Sequence, residues 1–453
     1  MRILWLKSDL LLPLDKGGKL RTWNLLRHLA RRHEITYLAF AGPNDAQGAI
    51  EGMRQVAAHL ETVPRVDPPK GSWRFYQDAA LHLADPLPYA VGKYRSRAYR
   101  RRLEALLARD AFDLLICDFL VPAVNLPRRL PCPAVIFTHN VESEIWRRHA
   151  ETEANRLKRF LYRTQYRRML RFEARTLKRF DGVLVVSEAD RESFDRIYPG
   201  SLREPAHVVP TGVETAFFTP TSSRPSSRRL VFTGSMDWLP NEDAMLFFVH
   251  EVLPLIRAEE PDATLSIVGR APTPTVRKLA GEQGIHVTGG VDDVRPYIAD
   301  AAVYVVPLRI GGGTRLKIFE AMAMGKAVVS TTVGAEGLPI GNGEHLLLAD
   351  DPPGFARGVV SLLRDVGRRR QLESAARALV VEKYDWSAVA GGLEEVLIAA
   401  AGGAASREAS DHTRVIRQCA PQNATLGASL LLTPPRAERR AATAAWGWGP
   451  TRK

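Results

Sequence analysis

The sequence predicts an α/β protein of two units, each a parallel sheet flanked by helices. Three observations predict it. At 453 residues the chain is too long for one ordinary core and suits two domains of about 150 to 200 residues each. Short apolar, partly β-branched runs alternate with helical patterns, which is the signature of βαβ units. A Pro- and Ser-rich stretch then interrupts that alternation, and it restarts afterwards.

Taken in order, Arg2 to Leu6 reads as the first strand, and a polar glycine turn leads to a helical pattern through Trp23, Leu25, Leu26 and Leu29. A second strand follows at Glu34 to Phe40. Further strands are predicted at 114–117, 134–137 and 183–186. Between Asn155 and Phe180, Leu157, Phe160, Leu161, Met169, Leu170 and Leu177 recur among many arginines, so a long amphipathic helix is expected with its apolar stripe in the core. The cluster from Thr219 to Ser227 marks an interdomain linker. Beyond it, strands are predicted at 229–233, 264–268, 285–287, 303–306 and 327–330. From Gly402 onward small residues and scattered arginines replace periodic apolar ones, and a disordered tail over 402–453 is expected.

The formal net charge is +13 and is unevenly spread: residues 91–180 hold 21 Lys or Arg against 9 Asp or Glu. Three readings compete for this stretch: a solvated helix face, docking on an anionic membrane surface, and binding a polyanion. No aromatic-interleaved or zinc-type module accompanies the charge, so nucleic acid is not expected as a partner. Cys117, Cys132 and Cys419 have neither disulfide-rich nor metal-ligand spacing, which favours a reducing compartment. With no apolar run near ~18 residues and no evident export signal, a cytoplasmic location is expected, with possible peripheral contact to the inner face of the cell membrane.

The densest chemistry lies in the run Gly311-Gly312-Gly313-Thr314-Arg315-Leu316-Lys317, followed by Glu320, between the strand 303–306 and a helix ending near Gly325. Glycines at a strand-to-helix turn let backbone N–H groups approach an anion, and the helix N-terminus adds a positive dipole end. Arg315 and Lys317 fall in the first turn, where they can neutralise a diphosphate. Glu320 shares a helix face with Lys317 and can accept two ribose hydroxyls. The bland alternative is a glycine loop before a core helix, with Lys317 and Glu320 a solvated pair.

On these residues the chain resembles the retaining nucleotide-sugar glycosyltransferases of family 4, over roughly residues 1–400. The resemblance implies the GT-B fold, two facing Rossmann-like domains with a cleft between them. It implies a Glu-x7-Glu motif across this turn, whose second Glu holds the donor ribose and whose first approaches the transferred sugar. Glu320 matches the second, whereas Gly312 stands where the first would be. The amides of Gly312 and Gly313, with Arg315 and Lys317, are expected to take over. Gly17 and Gly18 match the family's Gly-Gly pair in the first loop, near phosphates and acceptor. His139, after the strand 134–137, matches a histidine near the transferred sugar. Arg315 and Lys317 complete the catalytic set with His139. Donor binding is expected at Gly311, Gly312, Gly313, Thr314, Glu320, Gly234, Ser235, Arg270 and Asp292, although a helix cap is the competing role for Asp292. Ser235 stands where many relatives carry a diphosphate-binding Arg.

The implied organisation is an acceptor-side domain over 1–207, a crossing segment and linker over 208–228, and a donor-binding domain over 229–385. A helix over 386–401 is expected to brace the first domain. The sequence has no Asp-x-Asp and no metal-ligand cluster, so no metal or other cofactor is expected beyond the donor itself. It also lacks Gly-x-Gly-x-x-Gly, Gly-x-Ser-x-Gly and Walker loops. The implied reaction moves a sugar from a nucleoside diphosphate to a hydroxyl acceptor with retention, in surface or extracellular polysaccharide synthesis on a lipid-linked acceptor. A nucleotide-sugar epimerase or a noncatalytic sugar-nucleotide-binding subunit remain as alternatives.

Overall fold

The structure is a computed structural model that describes residues 1–418 apart from 15–16, 44–46, 67, 69–71, 74–76, 78–84, 222–227 and 311–315. Among the described residues the chain builds two sheets, all of whose strand pairs are parallel. The first contains β1 (Arg2–Leu6), β2 (Glu34–Ala41), β3 (His59–Pro64), β4 (Leu114–Asp118), β5 (Ala134–Phe137), β6 (Gly182–Val185) and β7 (His207–Val208). Their order is β3-β2-β1-β4-β5-β6-β7. The second contains β8 (Arg229–Thr233), β9 (Thr264–Val268), β10 (Ile285–Gly289), β11 (Val303–Val306), β12 (Ala327–Ser330) and β13 (Leu347–Leu348), in the order β10-β9-β8-β11-β12-β13.

Strands buried on both faces need apolar side chains at every position, and this explains why they read as continuous runs. Leu114, Leu115, Ile116 and Cys117 of β4 are all fully buried, and so are all four residues of β11. One apolar cluster packs on each face of the first sheet, and a third fills the second domain. Both strand orders reverse direction once, between β1 and β4 and between β8 and β11. In an open parallel sheet the loops that leave the C-terminal ends of two such strands diverge and open a crevice.

The chain crosses between the domains twice, and the crossings bind each other. Val213 bridges Asp385, its N–H donating to the Tyr384 carbonyl at 2.7 Å, and the Trp386 N–H donates back to Val213 at 3.2 Å. The returning chain enters a helix, Trp386–Gln418, whose Trp386, Val389, Ala390, Leu393 and Leu397 join the core under the first sheet. His33 meets Glu394 at 2.9 Å on the same contact.

Two expectations require correction. The last helix continues past Gly402 to Gln418, so the predicted tail begins helical; its remainder, 419–453, lies outside the described residues. The long arginine-rich helix spans Arg156–Leu177, but its apolar stripe is divided. Met169 and Leu177 are buried, whereas Leu157 and Phe160 remain 69% and 65% exposed. The apolar residues of the first turns therefore face solvent.

Candidate functional site

Both reversal points carry charge. At the first, Lys7 follows β1 and Asp118 ends β4, and both are buried. Asp118 accepts from Lys7 Nζ at 2.6 Å, Thr22 Oγ1 at 2.7 Å, Trp5 Nε1 at 3.0 Å and His139 Nε2 at 2.7 Å. Burial alone would push this carboxyl up, but Lys7 and His139 outweigh it and hold it well below the usual carboxylate range.

His139 is fixed through both ring nitrogens. Arg21 Nη1 lies 2.9 Å from Nδ1. A guanidinium can only donate, so Nδ1 accepts and the proton sits on Nε2, directed at Asp118. Burial pulls the imidazole down to about 4 against the pull of Asp118, with Arg21 adding to the fall. The ring is neutral at physiological pH. It stacks on Phe119 at 3.9 Å between centroids with planes 3° apart, and Phe119 itself holds a left-handed φ of 74°. Gly18 makes that stack possible, because a Cβ there would stand 2.8 Å from the Phe119 ring.

Arg21 is buried, and desolvation lowers it to about 10 although Asp118 opposes the shift. It also donates to Thr211 Oγ1 in the crossing segment, while its Nε–H has no partner among the described residues. Gly17, Gly18, Arg21 and His139 line a cavity of about 470 Å³, which Leu316, Glu336 and Gly337 of the second domain help to close.

At the second reversal point β8 runs into Gly234, and the loop after β11 leads to the helix Leu316–Ala323. Lys317 Nζ donates to Asn241 Oδ1 at 3.0 Å and lies 4.0 Å over the Phe232 ring. A Cβ on Gly234 would come 2.8 Å from that ammonium, so glycine leaves the room that the cation occupies. Ser235 Oγ accepts from Arg270 Nε at 3.0 Å and donates to Asp237. Burial raises the Glu320 carboxyl to about 7, with Lys317 opposing.

Of the residues expected from the sequence, Gly17, Gly18 and His139 thus share one cavity. Lys317 adjoins Gly234, and Ser235 adjoins Arg270. Asp292 is exposed and caps no helix: the helix Arg295–Asp300 has Val294 at its N-cap without a side-chain capping bond, and Asp293, not Asp292, accepts the Arg295 N–H at 2.9 Å. Gly311, Gly312, Gly313, Thr314 and Arg315 lie outside the described residues. Sequence reasoning missed Lys7, Arg21, Phe119, Asp118, Asn241 and Thr211. A signal existed for two of them: Lys7 directly follows the apolar run Ile3 to Leu6, and Asp118 ends the apolar run Leu114 to Cys117.

Two parallel-sheet α/β domains, with residues of both lining one cavity, have the GT-B fold of glycosyltransferases. The family models agree: residues 16–217 match "Glycosyltransferase Family 4" and residues 227–365 match "Glycosyl transferases group 1". The chain belongs to the family 4-like glycosyltransferases. It is similar to an uncharacterized 44.6 kDa protein in the cps region of Klebsiella pneumoniae, 26% identical over 34% of this chain and 42% of that one. It is also similar to the phosphatidyl-myo-inositol mannosyltransferase of Mycolicibacterium smegmatis, 31% identical over 42% of this chain and 50% of that one. The chain therefore spans half or less of the length of these two relatives. Among solved structures, sucrose-phosphate synthase from Thermosynechococcus elongatus superposes with a TM-score of 0.60 at 18% identity, over 88% of this chain and 100% of that one. Anabaena HepE in complex with UDP does so with the same TM-score at 16% identity, over the same shares.

Proposed function

We propose that the protein transfers a sugar from a nucleoside diphosphate sugar to a hydroxyl acceptor, with retention of anomeric configuration. The observation that carries this reading is the pairing of two unlike half-sites at the reversal points. A cation and a carboxylate, Lys317 and Glu320, share the start of one helix in the second domain. A neutral imidazole and a buried guanidinium, His139 and Arg21, face the cavity from the first. The first pair suits a diphosphate and a ribose; the second suits an oxygen-rich acceptor. Mannosyltransferase relatives and a UDP-bound structural neighbour support a nucleotide-sugar donor.

In this reading Lys317 and Arg315 stabilise the departing diphosphate without a metal ion. Glu320 holds the ribose, with Ser235, Arg270 and Asp292 toward the nucleotide. Arg21 offers its unpaired Nε–H to an acceptor oxygen. Domain closure excludes water, which would otherwise hydrolyse the donor.

The acceptor is lipid-linked and met at a membrane surface, as in assembly of a surface or extracellular polysaccharide. Exposed Leu157 and Phe160 beside exposed Arg156, Lys158 and Arg163 support that placement, since an anionic bilayer takes up both the apolar side chains and the charge. Among the described residues no helix is long and apolar enough to cross a membrane.

Calorimetry with uridine, guanosine and adenosine diphosphates and their common sugars tests the donor site. Selective binding that is lost in Glu320→Ala is the expected result, and no binding to any of them refutes it. Release of free nucleoside diphosphate together with a glycoside product separates a transferase from an epimerase or a noncatalytic binder.

A further inference from the structure

Among the described residues, the donor-domain wall of the cavity is formed by Leu316, Glu336 and Gly337, of which Glu336 carries a charge. The sequence from Gly311 to Phe319 contains no carboxylate, so the turn that leads into the donor helix cannot supply one. Glu336 reaches the cavity from the next loop, after β12.

That loop is pinned at several points. Ser330 Oγ donates to the Val306 carbonyl at 3.2 Å, and Thr331 Oγ1 donates to the Leu308 carbonyl and accepts the Gly334 N–H at 2.9 Å. The Thr332 N–H donates to Asp350 at 2.7 Å. A Cβ on Gly334 would stand 2.6 Å from the Val306 carbonyl oxygen, and Gly337 holds a φ of 76°, so glycine at both positions lets the loop fold down over the end of β11. Glu336 therefore sits on an anchored turn beside the strand whose following loop leads into the donor helix. Its side chain is exposed to the cavity and makes no hydrogen bond or ion pair among the described residues.

An anchored carboxylate in a cleft, without a side-chain partner among the described residues, is well suited to bind vicinal hydroxyls, because its two oxygens accept two O–H donors at once. We propose that Glu336 is the carboxylate that holds the hydroxyls of the transferred sugar, opposite His139 and the Gly17–Gly18 turn. The proposal rests on the transferase reading above and adds the residue that grips the sugar rather than the nucleotide.

The test is calorimetry on the full chain and on its Glu336→Gln and Glu336→Ala forms, with UDP, GDP and ADP and with UDP-glucose, GDP-mannose and ADP-glucose. Glu336 is exposed, so both variants are expected to fold. The expected result is nucleoside diphosphate affinity within about twofold of wild type, while the best-bound sugar nucleotide weakens roughly tenfold or more, as for loss of a charged hydrogen bond. Unchanged sugar-nucleotide affinity in both variants overturns the proposal and leaves the donor site standing. Equal loss of nucleotide and sugar nucleotide also overturns it, making Glu336 a clamp between domains. If wild type binds none of the six, the transferase reading fails and this proposal falls with it.

Discussion

Asp118→Asn is the most informative single change, because one buried carboxylate holds four donors. Its oxygens are met by Lys7, Thr22, Trp5 and His139 at 2.6 to 3.0 Å. An amide keeps the shape but removes the charge and points an N–H₂ group at one of these donors. Lys7, Thr22 and Trp5 converge on one oxygen and only His139 on the other, so the N–H₂ meets the His139 Nε2–H, while the Lys7 ammonium keeps a neutral acceptor but loses its counter-charge inside a dry core. Breaking one partner of a buried ion pair costs about 3–5 kcal/mol. For a domain near 200 residues each kcal/mol moves the melting point by about 2–4 °C, so a fall of roughly 6–20 °C is expected. The assay is thermal unfolding followed by near-UV circular dichroism, with Lys7→Met and the double variant completing a cycle. Removing the stranded ammonium in the double variant should recover part of the loss, giving strongly non-additive effects. A melting point within about 2 °C of wild type for Asp118→Asn, less than a 1 kcal/mol effect, would refute this account of the core.

Gly18→Ala should cost about 1–3 kcal/mol by urea denaturation, because its Cβ meets a Phe119 ring that stacking prevents from retreating. Lys317→Met should weaken nucleoside diphosphate binding about tenfold or more in calorimetry while leaving the melting point nearly unchanged. Nucleotide binding should tighten as pH rises through about 7, because the partly buried Glu320 carboxyl ionises there and only the ionised form accepts both ribose hydroxyls; Glu320→Gln should abolish that component of the pH profile. The sign for stability is opposite: a carboxyl raised above its ordinary value favours the folded state below pH 4.5, and that contribution is lost by the time pH passes 7. Leu157→Ser with Phe160→Ser should reduce sedimentation with anionic vesicles several-fold without altering nucleotide affinity.

Most strands were legible because parallel strands buried on both faces must be apolar throughout, and no turn chemistry is needed to see Val303 to Val306 or Ala327 to Ser330. The strand His59–Pro64 was not legible, since it lies at the sheet edge and carries His59, Glu61 and Thr62 among few apolar residues. Two further strands are only two residues long. The donor helix was visible through glycines and charges adjacent in sequence. The network around His139 was not, because Lys7, Arg21, Asp118 and Thr211 come from four separate segments, and which strands lie side by side is fixed by strand order. The extent of the apolar stripe on the Arg156–Leu177 helix was misjudged for a related reason. Periodicity reports that one face is apolar, but what covers that face is decided by where the helix ends relative to the sheet.

The same network ties the cavity to the point where the chain changes domain. Arg21 donates to Thr211, and the next residue, Gly212, lies so close to Trp386 that a Cβ would stand 2.7 Å from its ring. Val213 then pairs with the returning chain, and Thr215 Oγ1 donates to Asp385 at 2.6 Å. A rotation of one domain on the other has to be absorbed where these two crossings meet, within a few residues of Thr211. The Arg21–Thr211 contact lies beside that crossing, and Arg21 also sets the tautomer of His139. The arrangement makes domain opening and the protonation geometry of the first half-site a single mechanical problem. Thr211→Val keeps the side chain's volume but deletes the acceptor, so it separates the two: the crossing stays packed while the guanidinium loses its tie. The expected result is a melting point lowered by about 1–3 kcal/mol equivalent, from one buried charged hydrogen bond, with turnover falling further than nucleotide affinity. Equal turnover in Thr211→Val and wild type would show that the cavity works independently of the crossing.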